Sequence, residues 1–282
     1  VSYHGSDKQK GFLIGENMSD HDKQEYLEFA KQLALDAGDI MRRYFGQSPD
    51  HHYKEDETIV TVADEEINRL VIERVNQRYP EHGVNGEEES HVTESQYVWV
   101  CDPIDGTNPF AMELPVSVFS LALVVDGKPE IGVIYAPFSE KLYSAVLGGG
   151  AFCNDKQIAV TGDGFGIKSR MNVDWWVGAD YDVIPTVHKL AYDKRAYVLC
   201  PGSTTHAAAL VASGEFVASI FPGTKGKNVD IAAAKVIVEE AGGKVTDFFG
   251  NEQRYDQDIN GAILSNGIVH QTIVDYLKEL RR

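Results

Sequence analysis

The chain has 282 residues, 43% of them hydrophobic and 24% charged, and carries 43 Asp+Glu against 26 Lys+Arg for a formal net charge of −17. So acidic a surface repels nucleic acid and anionic membranes, and no apolar run approaches the roughly 20 residues that span a bilayer, so neither partner is expected. Three cysteines, Cys101, Cys153 and Cys200, are odd in number and lack CxxC spacing, which argues against a disulfide framework or zinc knuckle and for a reducing, cytoplasmic setting.

Residues 1–21 are read as an N-terminal tail. The first twenty are polar, with no long apolar stretch or small-residue cleavage site, so they do not read as a secretory signal, and Met18 is a candidate start. From Tyr26, Leu27, Ala30, Leu33, Ala34, Ala37, Ile40, Met41 and Tyr44 recur at helical spacing, and Gly46 stops them. A polar loop over 46–60 precedes a second helix from Asp64 to Tyr79, ended by Pro80. The period then becomes that of strands: 97–101, 117–125, a DG turn at 126–127, and 131–136. LYSAVL and AFCNDKQIAV flank Gly148, Gly149 and Gly150, which read as a tight turn and not a phosphate loop, since no GK[ST] follows. Beyond it come a strand at 197–200, a helix at 205–213, a strand at 215–220, a helix from Asp230 to Ala241 stopped by Gly242–Gly243, a strand at 261–266 and a terminal helix to Leu280. Such alternation predicts one layered α/β domain over residues 1–282 and not separable units.

The stretch WVCDPIDGTNPF, Trp99 to Phe110, carries the chemistry. Asp102 precedes a proline and is biased to extended backbone, so its carboxylate is held at a strand end. Asp105–Gly106 makes a turn in which Gly106 allows close backbone approach, and Asn108 with Pro109 is expected to cap and open a helix near Thr107. One segment thus offers two carboxylates for a cation and backbone donors for an anion, the pairing that Mg²⁺-assisted phosphoryl chemistry needs. An acidic turn between a strand and a helix is the plainer alternative. Three further acids stand elsewhere: Glu87 opening GEEES, Asp64 closing TIVTVAD, and Asp230 opening DIAAAKVIVEEAGG. A solvated charge run describes the first equally well, and helix N-caps the other two.

Taken in order, VTVAD, GEE, DPIDGT and VDIAAA…EEAGG resemble the inositol monophosphatase superfamily of magnesium-dependent, lithium-sensitive phosphatases, from about residue 26 to the C-terminus. The resemblance implies a five-layer αβαβα sandwich and, as in many relatives, a homodimer. It implies that Glu87, Asp102 and the Ile104 carbonyl hold one Mg²⁺, that Asp102, Asp105 and Asp230 hold a second, and that Glu87 with Asp64 holds a weaker third. It further implies that Asp105 and the Gly106 and Thr107 N–H groups form the phosphate turn, and that Thr107, Glu87 and Asp64 prepare the attacking water. Elementary electrostatics agrees that the acids need cations, because two like charges about 4 Å apart repel by about 4 kcal/mol at an effective dielectric of 20.

Departures from the family pattern fall around the substrate. Val229 stands where a Trp is usual, Pro109 where an Asn is common, Gly223 where animal inositol monophosphatases place a Glu against an inositol hydroxyl, and Thr204 where they have Ala. Gly202, Ser203, Thr204, Gly223 and Lys225 are therefore the expected substrate-facing residues. Lys225 and Lys227 could meet a second phosphate or a carboxylate, or be solvated; Lys54 could position metal or water, or be a loop lysine. Trp175–Trp176 could cap the pocket or divide between core and surface. His51 and His52 lack metal-ligand spacing. The expected activity is hydrolysis of a small soluble phosphate ester: an inositol phosphate, or, as alternatives in the superfamily, histidinol phosphate, a sugar bisphosphate or adenosine 3′,5′-bisphosphate. A metal-binding regulatory protein without turnover is the competing class.

Overall fold

The computed structural model describes residues 18–47, 51–53, 59–176, 178–223, 228–259 and 261–281. Helix α1 (Asp20–Tyr44) opens on Ser19, whose hydroxyl accepts the Asp22 N–H at 3.2 Å. It starts six residues before the predicted Tyr26 and takes in the end of the expected tail, because an N-cap serine and acidic first-turn residues support a polar first turn. The expected loop at 46–60 contains a short antiparallel pair, β1 (His51–Tyr53) and β2 (Ile59–Thr61), which leads into α2 (Val62–Arg78).

Seven strands then lie side by side in chain order: β3 (Gly83–Gly86), β4 (Tyr97–Asp105), β5 (Val118–Val125), β6 (Lys128–Ala136), β7 (Lys141–Val146), β8 (Gly150–Cys153) and β9 (Lys156–Gln157). Only β3 and β4 pair in parallel; the rest are antiparallel. A single turn of helix, α3 (Thr107–Ala111), separates β4 from β5. The second half supplies β10 (Arg170–Val173), α4 (Ile184–Lys194), β11 (Tyr197–Val198), α5 (Thr204–Ala212), β12 (Ala218–Phe221), α6 (Ala232–Glu240), β13 (Lys244–Thr246), β14 (Ala262–Ser265) and α7 (His270–Leu277), with a final 3₁₀ turn at Lys278–Arg281. Its sheet runs β11-β10-β12-β14-β13.

Three cores define five layers. One face of β4–β6, through Trp99, Cys101, Leu121, Leu123, Ile131 and Val133, packs on α1 and α2. The opposite face, through Val100, Ala122, Val124 and Ile134, packs on α5 and α6, which also meet Val245, Ala262 and Leu264 of the second sheet. That sheet turns Met171, Val173, Ile220 and Ile263 towards α4 and α7. The order is helix, sheet, helix, sheet, helix. Burial on both faces explains why 97–101 and 117–125 read as unbroken apolar runs without strand alternation.

The central helices are buried from Ala232 to Val238 and across most of α5, and their alanines let two sheets approach one helix layer closely. Gly132 on β6 marks one such close approach: a Cβ there would stand 2.6 Å from both the Ala233 carbonyl oxygen and Val236 Cγ1. Lys235 is nevertheless buried in this layer, paired with Glu239 at 2.5 Å and Glu252 at 2.8 Å. The glycine turn at 148–150 is occupied by the protein itself, since Glu240 accepts the N–H groups of Gly148 and Gly150 at 2.8 and 2.7 Å. No described helix is long and apolar enough to cross a membrane.

Gly132→Ala should therefore overpack the sheet–helix contact and destabilise the protein by about 1–3 kcal/mol. A lower denaturation midpoint at unchanged urea m-value is the expected result; an unshifted midpoint would show that α6 can yield at Ala233.

Candidate active site

The site lies where β4 leaves the large sheet. β4 continues to Asp105, four residues beyond the predicted strand, with a register shift against β5 between Asp102 and Asp105. The Ile104 N–H donates to Asp102 Oδ1 at 3.0 Å, so the irregular backbone fixes the carboxylate it carries. Gly106 then adopts φ 89°, and a Cβ there would lie 3.0 Å from the Gly202 carbonyl oxygen and 3.2 Å from Ser203 Cβ. Glycine alone meets both demands. The expected cap at Asn108–Pro109 is corrected: Gly106 is the cap, Thr107 the first residue of α3, and the first intrahelical bond is Phe110 N–H to the Gly106 carbonyl at 3.0 Å. The Gly106 and Thr107 N–H groups precede that bond and so need partners from outside α3.

Asp105 is gripped from α5. Its Oδ2 accepts the Thr205 N–H at 2.8 Å and a short hydrogen bond from the Ser203 hydroxyl. Ser203 also caps α5, accepting the His206 N–H at 3.2 Å, while the Thr205 hydroxyl donates to the Asp230 carbonyl at 2.7 Å. Asp230 was expected at a helix N-cap; it lies in the turn before α6, whose cap is Ile231. From the end of β4 and the turn before α6, carboxylate oxygens of Asp102, Asp105 and Asp230 come within 4.8 Å of one another, all buried.

The fourth acid belongs to α2. Asp64 is corrected from N-cap to the third helical position, because Thr61 is the cap: Asp64 Oδ2 accepts from the Thr61 N–H at 2.9 Å and hydroxyl at 2.5 Å, and the Asp64 N–H donates back at 3.4 Å. The Thr107 hydroxyl approaches Asp64 Oδ1 at 3.4 Å and the Ile104 carbonyl at 3.1 Å, joining the turn to α2. Glu87 follows β3, its N–H bonded to the Cys101 carbonyl at 3.1 Å, and its charge is felt at both Asp64 and Asp102. Asn68 on α2 secures this acidic turn by donating to the Glu89 carbonyl at 2.9 Å and accepting the Glu88 N–H at 3.3 Å. GEEES is thus anchored beside the site.

Electrostatics favours protons wherever cations are not supplied. Burial pushes Asp64 up to about 7 against the pull of its Thr61 bonds. Burial and then the Asp230 charge push Asp105 up to about 8, in spite of the Ser203 and Thr205 bonds. Burial and the Glu87 charge hold Asp102 well above the carboxylate range, and it shares a hydrogen bond with Asp230. Three hard oxygen donors at this spacing fit a divalent cation of the Mg²⁺ type.

Of the expected substrate-facing residues, Gly202 lies over Pro109, where a Cβ would stand 2.8 Å from the ring. The Ser203 hydroxyl is turned to Asp105, and Thr204 donates to Asp174 Oδ2 at 2.8 Å. Gly223 leaves β12 at φ 82°, its carbonyl accepting the Asp180 N–H at 3.1 Å. Lys54, Lys225 and Lys227, and the side chains of His51 and His52, lie outside the described residues. Trp176 packs on Phe221 while Trp175 is exposed, so the pair divides between core and surface. His206 Nδ1 is bonded to the Val116 carbonyl at 2.7 Å. Sequence reasoning missed Thr61, Asn68, Thr205 and Asp174. Only Thr61 left a signal, the T-x-x-D spacing of a capping box.

The model of the inositol monophosphatase family matches residues 22–282. Curated relatives include inositol monophosphatase 1 of Solanum lycopersicum, 30% identical over 238 residues covering 81% of this chain and 86% of the relative. The fructose-1,6-bisphosphatase/inositol-1-monophosphatase of Thermotoga maritima is 30% identical over 258 residues, covering 90% and 96%. A solved Thermotoga maritima IMPase superposes with a TM-score of 0.82 at 28% identity, over 91% of this chain and 98% of its own.

The raised carboxylates predict an inverted pH response for metal-free protein. A native state that retains protons the unfolded chain gives up loses stability as pH rises from about 4, the ordinary range, to about 8. Thermal midpoints in EDTA should fall across that window, and added Mg²⁺ should raise them most at its upper end; a midpoint in EDTA that climbs from pH 5 to 8 would contradict these assignments.

Proposed function

Because the chain belongs to the inositol monophosphatase family and is a phosphomonoester hydrolase, we propose that its reaction centre is the junction of Asp102, Asp105 and Asp230 with the Gly106–Thr107 turn. The observation that carries this reading is the convergence of the three carboxylates beside backbone donors that α3 leaves without partners. Asp102, Asp105 and Asp230, with Glu87, Asp64 and the Ile104 carbonyl, would hold two or three Mg²⁺ ions. Bound magnesium supplies neutralisation of the phosphate charge and a lowered water pKa.

The chain's own groups do the rest. The Gly106 and Thr107 N–H groups bind phosphate oxygens at the turn. Ser203 and Thr205 fix one Asp105 oxygen, which leaves the carboxylate a single orientation towards its partners. Thr107, held between Asp64 and the Ile104 carbonyl, orients the attacking water, and Glu87 and Asp64 accept its proton. The substrate is a small soluble phosphate ester, and family membership supports sensitivity to lithium and a homodimer. The free thiols of Cys101, Cys153 and Cys200 are in keeping with a cytoplasmic location.

Inorganic phosphate release should be Mg²⁺-dependent, abolished by EDTA and suppressed by lithium. Asp105→Asn keeps the shape but lowers the charge, and should reduce kcat/KM by about 100-fold or more. Turnover that persists in EDTA, or a mutant at the wild-type rate, would refute the assignment.

A further inference from the structure

Asp174 is a carboxylate beside the site for which the metal and phosphate chemistry has no use. It directly follows β10, and its N–H is pinned to the Ile220 carbonyl at 3.0 Å. Two donors converge on its Oδ2: Asn172 Nδ2 at 2.8 Å and the Thr204 hydroxyl at 2.8 Å. Asn172 Nδ2 is itself braced on Ser219 Oγ at 3.0 Å. Oδ1 makes no hydrogen bond among the described residues, so half of the carboxylate is left without a protein partner there. Thr204 lies between Ser203 and Thr205, the two residues that grip Asp105, and the Asp174 charge is felt at Asp105.

A purely structural role does not require a charge at this position. Ser203 already caps α5, and an asparagine oxygen accepts two donors as well as a carboxylate oxygen does. Burial, and after it the Asp230 charge, instead push Asp174 up to about 6, against the pull of its Thr204 and Asn172 bonds. The Thr204 hydroxyl has committed its only proton to Asp174, so towards any other group it can act only as an acceptor.

We propose that Asp174, with the Thr204 hydroxyl it holds, is the specificity-determining group of the site: an acceptor-only wall that selects a leaving alcohol bearing a hydroxyl or ammonium donor and rejects one bearing a second phosphate there. The proposal rests on the phosphatase reading above. Unmet donors and opposed anions both weaken binding, which gives the wall selection in two directions.

The test compares wild type, Asp174→Asn, Asp174→Ala and Thr204→Val on four esters with Mg²⁺: a polyol monophosphate, an amino-alcohol monophosphate, a sugar bisphosphate, and phenyl phosphate, which has no donor on its leaving group. Expected is a fall of about tenfold in kcat/KM for a donor-bearing ester relative to phenyl phosphate in the Asp174 variants, with a relative gain for the bisphosphate. A loss in Asp174→Asn confined to the amine ester identifies an ammonium donor; a loss on the polyol that is larger in Asp174→Ala identifies a hydroxyl. Thr204→Val, which keeps volume but removes the acceptor, should move the same ratios, and decides the matter where an Asp174 variant does not fold. Losses in equal proportion on all four esters, or unchanged ratios, overturn the proposal while leaving the phosphatase reading intact. No Mg²⁺-dependent release by wild type from any ester overturns both.

Discussion

Mutual repulsion among buried carboxylates is the constraint on which the rest of this structure depends. Asp102, Asp105 and Asp230 place oxygens within 4.8 Å of one another away from bulk water. Unneutralised, such an arrangement costs several kcal/mol, and it persists only where the surrounding fold fixes each acid independently. The fixing comes from different layers. Asp102 is tied to its own irregular strand, Asp105 to the first turn of α5, Asp64 to the capping box of α2, and Asp230 to the approach to α6. No local rearrangement can relax all four, so the strain is relieved by protons or by cations, and the raised carboxyl pKa values express the first of these.

This division of labour explains the sandwich. A site assembled from a strand end, a one-turn helix and the starts of three helices has to hold those elements in register to well under an ångström. The central helix layer does so by being small-sided on both faces. Alanines of α5 and α6 let the two sheets close on a single helical layer, and Gly132 brings β6 against the Ala233 carbonyl. Thr205 joins that layer to the chemistry directly, with its N–H on Asp105 and its hydroxyl on the Asp230 carbonyl.

Much of the fold was legible because strong periodicity survives burial. The α1 and α2 faces, the apolar runs of β4–β6 and the alanine-rich central helices all stand out in sequence. Elements with a thin or short pattern did not: α4 buries only Val187 and Leu190, and β10 and β13 are four and three residues long. Their pairing is set by neighbours distant in the chain. The acids themselves were legible, as an unusual density of carboxylates at strand and helix ends, but their roles as caps were misread. Asp64 and Asp230 each sit away from the cap position, since Thr61 and Ile231 take it. Asn68 and Thr205 act through contacts across 20 or more positions, and Asp174 reaches the site through Thr204, 30 positions away, so nothing in their local sequence marks them.

The same contacts suggest why stability and chemistry are not separable here. Ser203 is at once the cap of α5 and a hydrogen-bond donor to Asp105, so any change that loosens the helix start also frees a ligand oxygen. Thr61 likewise caps α2 and orients Asp64. Capping residues normally contribute about 1 kcal/mol to a helix and nothing to a reaction. At these two positions one hydroxyl does both, so the helices cannot form correctly without also aiming the carboxylates. Organisation of the site is then a by-product of folding, and the repulsion stored in it is opposed by the whole sandwich and not by any one contact.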